Sequence, residues 1–477
     1  MIGYCILAII ILWLVVILLR AVTFKPKTEK KVETIDVKIN EEKVIQDMSD
    51  MIKCKTVSYR DDNLIDEDEF QKFRDLLQER FPLVHQKCTL EHLGKNGLLY
   101  YLKGESSKKP SVCMAHYDVV PVNEEKWTKP AFEGLIEGGF IWGRGTLDTK
   151  GTLCGVMEAL EFLLKQNYVP KNDLYLSFSG QEEIDGPTCA EIVKYLQTKG
   201  VKPAIVLDEG GAVVEKALPG LEHECAMVGT AEKGSVNLDF IIEGAGGHAS
   251  APPTHTHIGE LAAAVQAVEN HPFKPHYTNP FLEMFDTLGR YSKFGYRLIF
   301  ANLWCFKPIL NAVCKKTGGE LNALIRTTCA FTRASGSDAY NVLPPKSSVG
   351  MNMRVIQGDT IESTTKYLNK IIHNDKIKIS LVNGMNPSIC SDTSCAEWQL
   401  LKDAIKETWS DVIVSPYLMM ACSDSRHYCR ITDHVFRFSA MKLTNEERKM
   451  IHGNDERVPI ETMIKTVKFY VRFLRKI

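Results

Sequence analysis

The sequence predicts an α/β protein with a main domain on a mostly parallel sheet, a smaller inserted α/β domain and one N-terminal transmembrane helix. Three observations lead to this prediction. Strand-like and helical segments alternate between residues 42 and 233, the pattern changes at Gly234, and an apolar run opens the chain. Alternating strands and helices are typical of parallel sheets. With 477 residues, 44% of them hydrophobic, the chain is long enough for two or three domains with sizeable cores.

The N-terminal run from Ile2 to Leu19 is apolar throughout and ends at Arg20. It lies at the short end of the length that a transmembrane helix needs and exceeds the usual apolar core of a signal peptide. No basic segment precedes it and no small-x-small cleavage site follows it, so we predict an uncleaved single-pass anchor over residues 1–24. A buried core helix is the alternative, although such a helix would normally carry a polar face.

The residues after the anchor indicate its orientation. Lysine and arginine follow the span, which by the positive-inside rule places the folded part in the cytosol. The only Asn-x-Ser/Thr match, Asn386-Pro387-Ser388, is blocked by its proline, so no glycosylation site indicates a lumenal face. Residues 25–41 are predicted to form a polar linker of mixed charge.

The charge balance and the cysteines exclude several classes of protein. A net charge of -1, from 58 basic and 59 acidic residues, gives no bulk attraction to nucleic acid, and we expect no nucleic-acid partner. The 14 cysteines include no C-x-x-C pair, so neither a zinc ribbon nor a disulfide scaffold is predicted.

The main domain, residues 42–233, shows the alternation most clearly. Predicted helices cover Val44 to Met51, Phe70 to Phe81 and Thr149 to Lys165, and predicted strands cover Ser111 to Met114, Leu174 to Phe178 and Ala204 to Leu207. Parallel sheets carry their sites at the carboxyl ends of the strands. We therefore expect the histidine and acidic segments that follow these strands to share one site.

A second unit begins at Gly234 and ends near residue 380. Its predicted elements are strands at Val236 to Ile242, Arg326 to Thr332 and Ser347 to Val355, helices at Ile258 to Glu269 and Thr360 to Ile372, and an apolar-aromatic stretch from Phe281 to Cys314. The chain then returns to the main domain over residues 381–477. It ends in an apolar stripe at helical spacing, which indicates core packing.

Five separate segments carry metal-ligand or acid/base side chains: His116-Tyr117-Asp118, residues 143–148 with Asp148, Gly180-Gln181-Glu182-Glu183, Asp208-Glu209-Gly210-Gly211 and Ile451-His452-Gly453. Two imidazoles with several carboxylates and no thiolate pair suit zinc or a similar divalent ion. Any one segment is a weak signal, whereas their joint occurrence predicts a site for two metal ions.

The roles at this site follow from ligand chemistry. Asp148 is predicted to bridge two ions a few ångström apart, one also held by His116 and Asp208 and the other by Glu183 and His452. Glu182, next to Glu183, is predicted to be the general base that takes a proton from water and passes it to a leaving amine. Asp118 is predicted to fix the tautomer of the His116 imidazole.

The sequence resembles a known family on these motifs: His116-x-Asp118-x-Val120-Pro121, Gly143-Arg144-Gly145-x-x-Asp148-x-Lys150-Gly151, Glu182-Glu183, Asp208-Glu209-Gly210 and Gly247-His248. The resemblance is to the dizinc family of aminoacylases, acetylornithine deacetylase, succinyl-diaminopimelate desuccinylase and glutamate carboxypeptidase, from about residue 42 to the C-terminus. Asp424-Ser425-Arg426-His427-Tyr428, Ile451-His452-Gly453-Asn454 and Ala301-Asn302-Leu303-Trp304 are similar to the carboxypeptidase S branch, which includes N-fatty-acyl-amino-acid synthase/hydrolases. Gln181 departs from the aspartate that the branch usually has.

The resemblance implies two Zn²⁺ ions per subunit and a lid (dimerisation-type) domain over residues 234–380 that splits the catalytic domain. It implies that His248 closes over the scissile carbonyl as an oxyanion donor; in dimeric relatives the partner subunit supplies it, so a homodimer is expected. Asn341, Arg354 and Arg426 match positions that hold the substrate's carbonyl or free carboxylate. Relatives in this branch act in lumenal, vacuolar or secreted settings, in contrast to the cytosolic side that the charges indicate.

These residues predict a metal-dependent hydrolase of linear amides whose small-molecule substrate ends in a free carboxylate. The resemblance adds that the substrates are N-acyl amino acids, with N-fatty-acyl amino acids favoured, and that the enzyme both cleaves and forms them. A carboxypeptidase or dipeptidase of the carboxypeptidase S type is the alternative. A catalytically silent, membrane-anchored binding protein is a further alternative, which Glu182 disfavours because a binder needs no general base.

Overall fold

The computed structural model describes residues 1–28, 32, 34 and 36–477. Residues 29–31, 33 and 35, in the predicted linker, lie outside the described residues. The helices are α1 (Ile2–Thr23), α2 (Glu41–Ile52), α3 (Glu67–Arg80), α4 (Pro82–Lys87), α5 (Lys150–Leu164), α6 (Thr188–Thr198), α7 (His257–Asn270), α8 (Asn279–Gly289), α9 (Phe294–Phe300), α10 (Leu303–Thr317), α11 (Gly319–Ala323), α12 (Ile361–Ile372), α13 (Ala396–Thr408), α14 (Asn445–Arg448) and α15 (Ile460–Leu474).

The strands are β1 (Thr89–Leu93), β2 (Gly97–Leu102), β3 (Ser106–His116), β4 (Ile136–Glu137), β5 (Phe140–Trp142), β6 (Asn172–Ser179), β7 (Ile205–Val214), β8 (Cys225–Glu232), β9 (Gly234–Glu243), β10 (Gly247–His248), β11 (Thr328–Ser335), β12 (Val342–Leu343), β13 (Lys346–Val355), β14 (Lys378–Met385), β15 (Ile413–Met419), β16 (Val435–Lys442) and β17 (Arg457–Pro459). The main sheet has the order β1-β2-β6-β3-β7-β16-β8-β15. The pairs β6–β3, β3–β7, β7–β16 and β8–β15 are parallel. The pairs β1–β2, β2–β6 and β16–β8 are antiparallel. The prediction of a mostly parallel sheet is confirmed.

The main sheet is buried on both faces, which explains why its central strands are apolar runs without alternation. On β3, Val112 and Met114 pack in a cluster with α6, whereas Cys113 and Ala115 pack on the opposite face in the large core that contains α5 and α15. The C-terminal apolar stripe lies in α15 and is part of this core, so its reading as core packing is confirmed.

The second sheet has four antiparallel strands in the order β11-β13-β9-β14. Helices α7 and α12 pack on it, and its core is separate from the main one. The sheet continues past the predicted boundary at 380, since β14 pairs with β9 as far as Met385.

Helices α8 to α11 fall within the predicted range of the second unit but pack elsewhere. Phe281, Met284, Phe285, Leu288 and Cys314 are buried in the large core of the main domain. The apolar-aromatic stretch is therefore an addition to the main domain that interrupts the sequence of the second sheet.

Helix α1 is the one helix of the described residues that is long and apolar enough to cross a membrane. Most of its side chains are exposed, whereas Ile17 and Ala21 near its C-terminal end are buried. Arg20 anchors that end, since its Nε and Nη2 donate to the carbonyl oxygen of Ala301 at 3.1 and 3.0 Å. The protein therefore has an apolar N-terminal helix whose last turns are fixed to the folded part.

Candidate active site

His116 lies at the carboxyl end of β3, at the centre of the main sheet. Its Nδ1 is 3.0 Å from the carbonyl oxygen of Asp118, and its Nε2 is 2.9 Å from Asp148 Oδ1. A carbonyl oxygen only accepts, so this contact requires the proton on Nδ1 and directs Nε2 towards Asp148. Asp118 thus contacts His116 as predicted, through its carbonyl oxygen.

The Asp118 carboxylate has a second role, in holding the turn that carries the glutamate pair. It is fully buried and accepts hydrogen bonds from Ser58 Oγ at 2.7 Å and from the backbone N–H groups of Glu182 and Glu183, both at 3.1 Å. These bonds fix the turn that follows β6. One aspartate therefore positions the imidazole on β3 and the glutamate pair after β6 relative to each other.

Asp148 lies between the two histidines of the site. Its Oδ1 faces His116, and its Oδ2 is 3.0 Å from His452 Nε2, which is also 3.0 Å from Glu183 Oε2. Burial raises the pKa of Asp148, but the hydrogen bonds to His116 and His452 outweigh it and hold that pKa well below its ordinary value. The structure therefore brings together four of the five predicted metal ligands.

The fifth predicted ligand, Asp208, is placed differently. Its Oδ2 accepts a hydrogen bond from Ser425 N at 3.0 Å, whereas the next residue, Glu209, has Oε1 3.4 Å from His116 Nε2. The predicted strand ended at Leu207, but β7 continues to Val214 and bulges here: Asp208 pairs with Arg437 and Gly211 with Phe438. Bulges redirect side chains next to active sites. This one brings Glu209 within 3.4 Å of His116, whereas the Asp208 carboxylate accepts from Ser425 N.

A pair of isosteric substitutions compares these two acidic residues. We expect Glu209→Gln to weaken the binding of one zinc ion by on the order of a hundredfold, and Asp208→Asn to leave zinc affinity nearly unchanged. The measurement is a competition titration with a zinc chelator, with thermal unfolding as the control for fold. Loss of zinc from Asp208→Asn but not from Glu209→Gln would show that Asp208, as predicted from the sequence, is the ligand.

Glu182 lies on the inner side of the cluster, with Oε2 4.0 Å from His116 Nε2. Burial raises its pKa well above the ordinary glutamate value, opposed by His116 and reinforced by the negative charge of Glu209. A carboxylate whose pKa is shifted towards neutrality has the property that a general base needs.

Glu456 and Arg144 hold the Asp148 loop, a role that the sequence did not reveal. The buried Glu456 carboxylate accepts from the N–H groups of Gly145 and Leu147 at 3.1 and 2.8 Å and from Arg144 Nη1 at 2.6 Å. Arg144 Nη2 also donates to the carbonyl oxygen of Gly453, beside His452. The pair therefore connects the loops of Asp148 and His452. In the sequence, the only sign of this role was an acidic residue four positions after His452.

The donor set fits divalent metal ions. Ligand atoms of His116, Asp148 and Glu183, and of His116, Glu182 and Glu209, form two groups whose atoms lie within 4.8 Å of one another. Neighbouring ligands of a tetrahedral zinc ion are about 3.3 Å apart, given metal–ligand distances near 2.0 Å. Glu183 Oε1 is buried without a hydrogen-bond partner among the described residues, as expected of an oxygen that faces a cation.

His248 and Asn341 lie away from this cluster. The short strands β10 and β12 pair His248 with Val342, and Ala249 N donates to the carbonyl oxygen of Asn341 at 2.9 Å. Both side chains are exposed, and His248 Nδ1 is 2.7 Å from Ser250 Oγ. The structure thus places these two residues together, on a short antiparallel pair of strands that are far apart in the chain.

The two arginines that are predicted to bind the substrate lie nearer to the carboxylate cluster than His248 and Asn341 do. Arg426 is half-buried and donates through Nη2 to Asp185 Oδ1 at 2.7 Å, just after the glutamate pair. Arg354 contacts Asn352 and, through Nη1 at 3.3 Å, Cys422 Sγ. Among the described residues no carboxylate lies within ion-pair distance of Arg354, so its guanidinium is available to an anionic ligand.

A cavity of about 430 Å³ extends from the carboxylate cluster. Asp148, Glu182, Glu183, Glu209 and His452 line one end. The remaining wall is largely apolar and includes Ala217, Leu218, Met227, Met284, Leu324 and Met419, with Cys422 beside them. Ligand sites commonly have this form, an apolar cavity with a few convergent polar groups.

The fold and this site define a metallohydrolase, in which histidines and carboxylates converge at the carboxyl edge of an α/β sheet. The chain belongs to peptidase family M20/M25/M40, whose model matches residues 112–476.

Individual relatives cover nearly the whole chain. It is 36% identical to the probable carboxypeptidase S-like 2 of Dictyostelium discoideum, over 98% of this chain and 92% of that protein. It is 34% identical to the N-fatty-acyl-amino acid synthase/hydrolase PM20D1 of Xenopus tropicalis, over 91% and 85%. Among solved structures, the M20 family metallo-carboxypeptidase Sso-CP2 of Sulfolobus solfataricus has the same fold, with a TM-score of 0.68 and 17% identity over 91% of this chain and 98% of that one.

Proposed function

We propose that this protein is a two-zinc amide hydrolase that cleaves, and in reverse forms, N-fatty-acyl amino acids. The observation that carries the proposal is the position of Asp148, whose two oxygens face His116 and His452 in the lining of a largely apolar cavity. The PM20D1 relatives support the substrate class by their name.

The residues present divide naturally between two metal ions. Asp148 would bridge them, with His116 and Glu209 on one and Glu183 and His452 on the other. Two Zn²⁺ ions held there would polarise the scissile carbonyl and lower the pKa of the attacking water. Glu182 takes the proton from that water and gives it to the leaving amine. Asp118 keeps the imidazole of His116 and the Glu182 turn in place throughout.

Substrate recognition is proposed to use Arg354 at the carboxylate end and the apolar cavity at the acyl end. Burial, with a smaller contribution from the charge of Arg354, lowers the pKa of the neighbouring Lys233 to about 7. Arg426, which already pairs with Asp185, is proposed to assist. His248 and Asn341 would meet the scissile carbonyl only if the β10–β12 pair closes as a lid or comes from the partner of a homodimer, since both are exposed here.

The substrate panel that tests the proposal compares N-oleoyl-phenylalanine with the dipeptide Gly-Leu on zinc-loaded protein. We expect the higher kcat/KM for N-oleoyl-phenylalanine. Preference for Gly-Leu would instead support the second candidate, a carboxypeptidase S-type peptidase, which the Dictyostelium relative favours by name and similarity.

The free carboxylate of the substrate should be required. A guanidinium that the bound substrate covers without giving it an anionic partner costs on the order of a few kcal/mol, so we expect methyl esters of N-acyl amino acids to be cleaved roughly a hundredfold more slowly than the acids. Arg354→Ala should reduce the acid-to-ester ratio of kcat/KM. His248→Ala should slow both substrates alike, because its partner is the reacting carbonyl. An unchanged ratio in Arg354→Ala would remove Arg354 from the site.

Zinc affinity should rise steeply with pH. Hydrogen bonds to Asp148 and Glu183 raise the pKa of His452 to about 10, and burial with the charge of Asp148 raises that of Glu209 to about 8. Both groups hold a proton below these values, and a cation must displace it. We therefore expect at least one proton to be released per zinc bound at pH 7, measured by calorimetry in buffers of different ionisation enthalpy. Zinc affinity that is constant between pH 6 and pH 8 would contradict this ligand set.

We further propose that α1 anchors the enzyme in a membrane, with the folded part on the lumenal, vacuolar or extracellular face. The exposure of its apolar side chains supports anchoring, and the resemblance to the carboxypeptidase S branch outweighs the lysines that follow the span. Protease protection in sealed vesicles distinguishes this face from the cytosolic one.

A further inference from the structure

Residues 293–317, which form α9 and α10, expose an unusual concentration of large apolar side chains. Phe294, Tyr296, Trp304, Ile309 and Val313 have between 41% and 58% of their surface exposed. Single exposed apolar residues are ordinary, but several on consecutive helices mark an interaction surface. We call residues 293–317 the basic apolar segment.

The basic apolar segment is also rich in positively charged side chains. It contains Lys293, Arg297, Lys307, Lys315 and Lys316 and no aspartate or glutamate, in a chain whose net charge is -1. Lys293 is paired with Glu222 at 2.6 Å, and Arg297 and Lys307 lie over the rings of Phe294 and Tyr277. Apolar and aromatic side chains interleaved with lysine and arginine are the composition of helices that lie in the headgroup region of anionic membranes.

The segment is joined to the last turns of α1. Besides the two bonds from Arg20 to Ala301, Asn302 Nδ2 donates to the carbonyl oxygen of Ile17 at 3.0 Å, and Trp304 Nε1 donates to Asn302 Oδ1 at 3.3 Å. Trp304 therefore lies beside the end of the apolar helix. If α1 spans a bilayer, this end is at the membrane–water interface, where tryptophan and tyrosine are enriched.

The same segment contacts a loop whose neighbouring residues line the cavity of the active site. Ala217 and Leu218 line the cavity, and the loop that carries them continues to Gly220, whose carbonyl oxygen accepts from Lys293 N at 3.0 Å. The Tyr296 ring packs so closely on Gly220 that an added Cβ would lie 2.2 Å from it. Any shift of α9 would therefore be transmitted to the cavity wall.

We propose that the basic apolar segment lies on the surface of an anionic membrane beside the anchor, and that the acyl chains of membrane-dissolved substrates enter the cavity past it. The lipid surface is the occupant that the data favour, because the exposed apolar face is continuous with the end of α1 and carries excess positive charge. The entry of acyl chains rests on the proposed function, whereas the contact with lipid does not.

The contact with lipid is tested by tryptophan quenching on the full-length protein, reconstituted through α1 into nanodiscs of phosphatidylcholine and phosphatidylserine. The emission of Trp304 is obtained as the difference between wild type and Trp304→Phe, and that of Trp142, on β5 of the main domain, from Trp142→Phe. We expect lipids brominated in the acyl chain to quench the Trp304 emission and not that of Trp142. An unquenched Trp304 overturns the proposal.

The entry of substrate is tested by kinetics. The variant Trp304→Asp/Ile309→Asp/Val313→Asp changes only exposed positions, and Leu64→Asp/Val169→Asp is the control at equally exposed apolar positions of the main domain. We expect the first variant to raise KM for N-oleoyl-phenylalanine in vesicles on the order of tenfold. KM for water-soluble N-butyryl-phenylalanine should be unchanged, and the control variant should behave like wild type.

Equal effects on both substrates, or no effect on either, would overturn the entry of substrate past the segment. A wild type that cleaves neither substrate refutes the proposed function instead, and the quenching result still decides the lipid contact.

Discussion

Glu182→Gln should reduce kcat by two to four orders of magnitude while both zinc ions stay bound. This loss corresponds to about 3 to 5 kcal/mol of activation free energy, the usual contribution of a general base. The substitution removes the proton acceptor but keeps the shape of the side chain, and the backbone N–H of Glu182 still donates to Asp118. The measurements are kcat for N-oleoyl-phenylalanine and zinc content of the purified variant.

The adjacent residue provides a matched control. Glu183→Gln makes the same chemical change at a residue whose Oε2 contacts His452 at 3.0 Å. We expect this variant to lose zinc as well as activity, because an amide is a poorer ligand than a carboxylate. Near-normal turnover in Glu182→Gln would show that Glu182 is not the base, and loss of zinc from it would make Glu182 a ligand.

Asp148→Ala should abolish activity and weaken the binding of both zinc ions. Among the described residues Asp148 contacts both histidines of the cluster, one through each oxygen. Removing it leaves the remaining carboxylates without the bridge that would hold two cations close together. The measurement is zinc per chain by elemental analysis after gel filtration, alongside turnover.

Single histidine variants give the comparison for this prediction. His116→Ala and His452→Ala should each lower the occupancy of mainly one ion, since each imidazole contacts a different oxygen of Asp148. Two zinc ions per chain in Asp148→Ala would refute the bridging role, even if the variant were inactive.

Much of this fold was predictable because its signals are local. The apolar runs of β3 and β6 and the helical stripe of α15 each follow from periodicity. The convergence of His116 and Glu183 was also predictable, because strand ends of a parallel sheet share one edge. Asp148 and His452 lie in loops outside the main sheet, and their place was predicted from the joint occurrence of the metal-ligand motifs. The position of Asp118 behind His116 followed from their spacing in the chain.

The features that were missed depend on tertiary contacts. A bulge in β7 brings Glu209 within 3.4 Å of His116, a contact that the sequence did not reveal, and the adjacent glycines, Gly210 and Gly211, were its only signal. Glu456 positions the Asp148 loop from more than 300 residues away in sequence. Helices α8 to α11 joined the main core because their apolar faces pack there, which no boundary in composition revealed.

The central claim is that two bridged metal ions and the side chains around them hydrolyse N-fatty-acyl amino acids. Stepwise addition of zinc to metal-depleted protein tests this claim most directly. Hydrolysis of N-oleoyl-phenylalanine should be absent without metal and should reach its plateau at two zinc ions per chain. A plateau at one ion, or full activity without metal, would contradict the account.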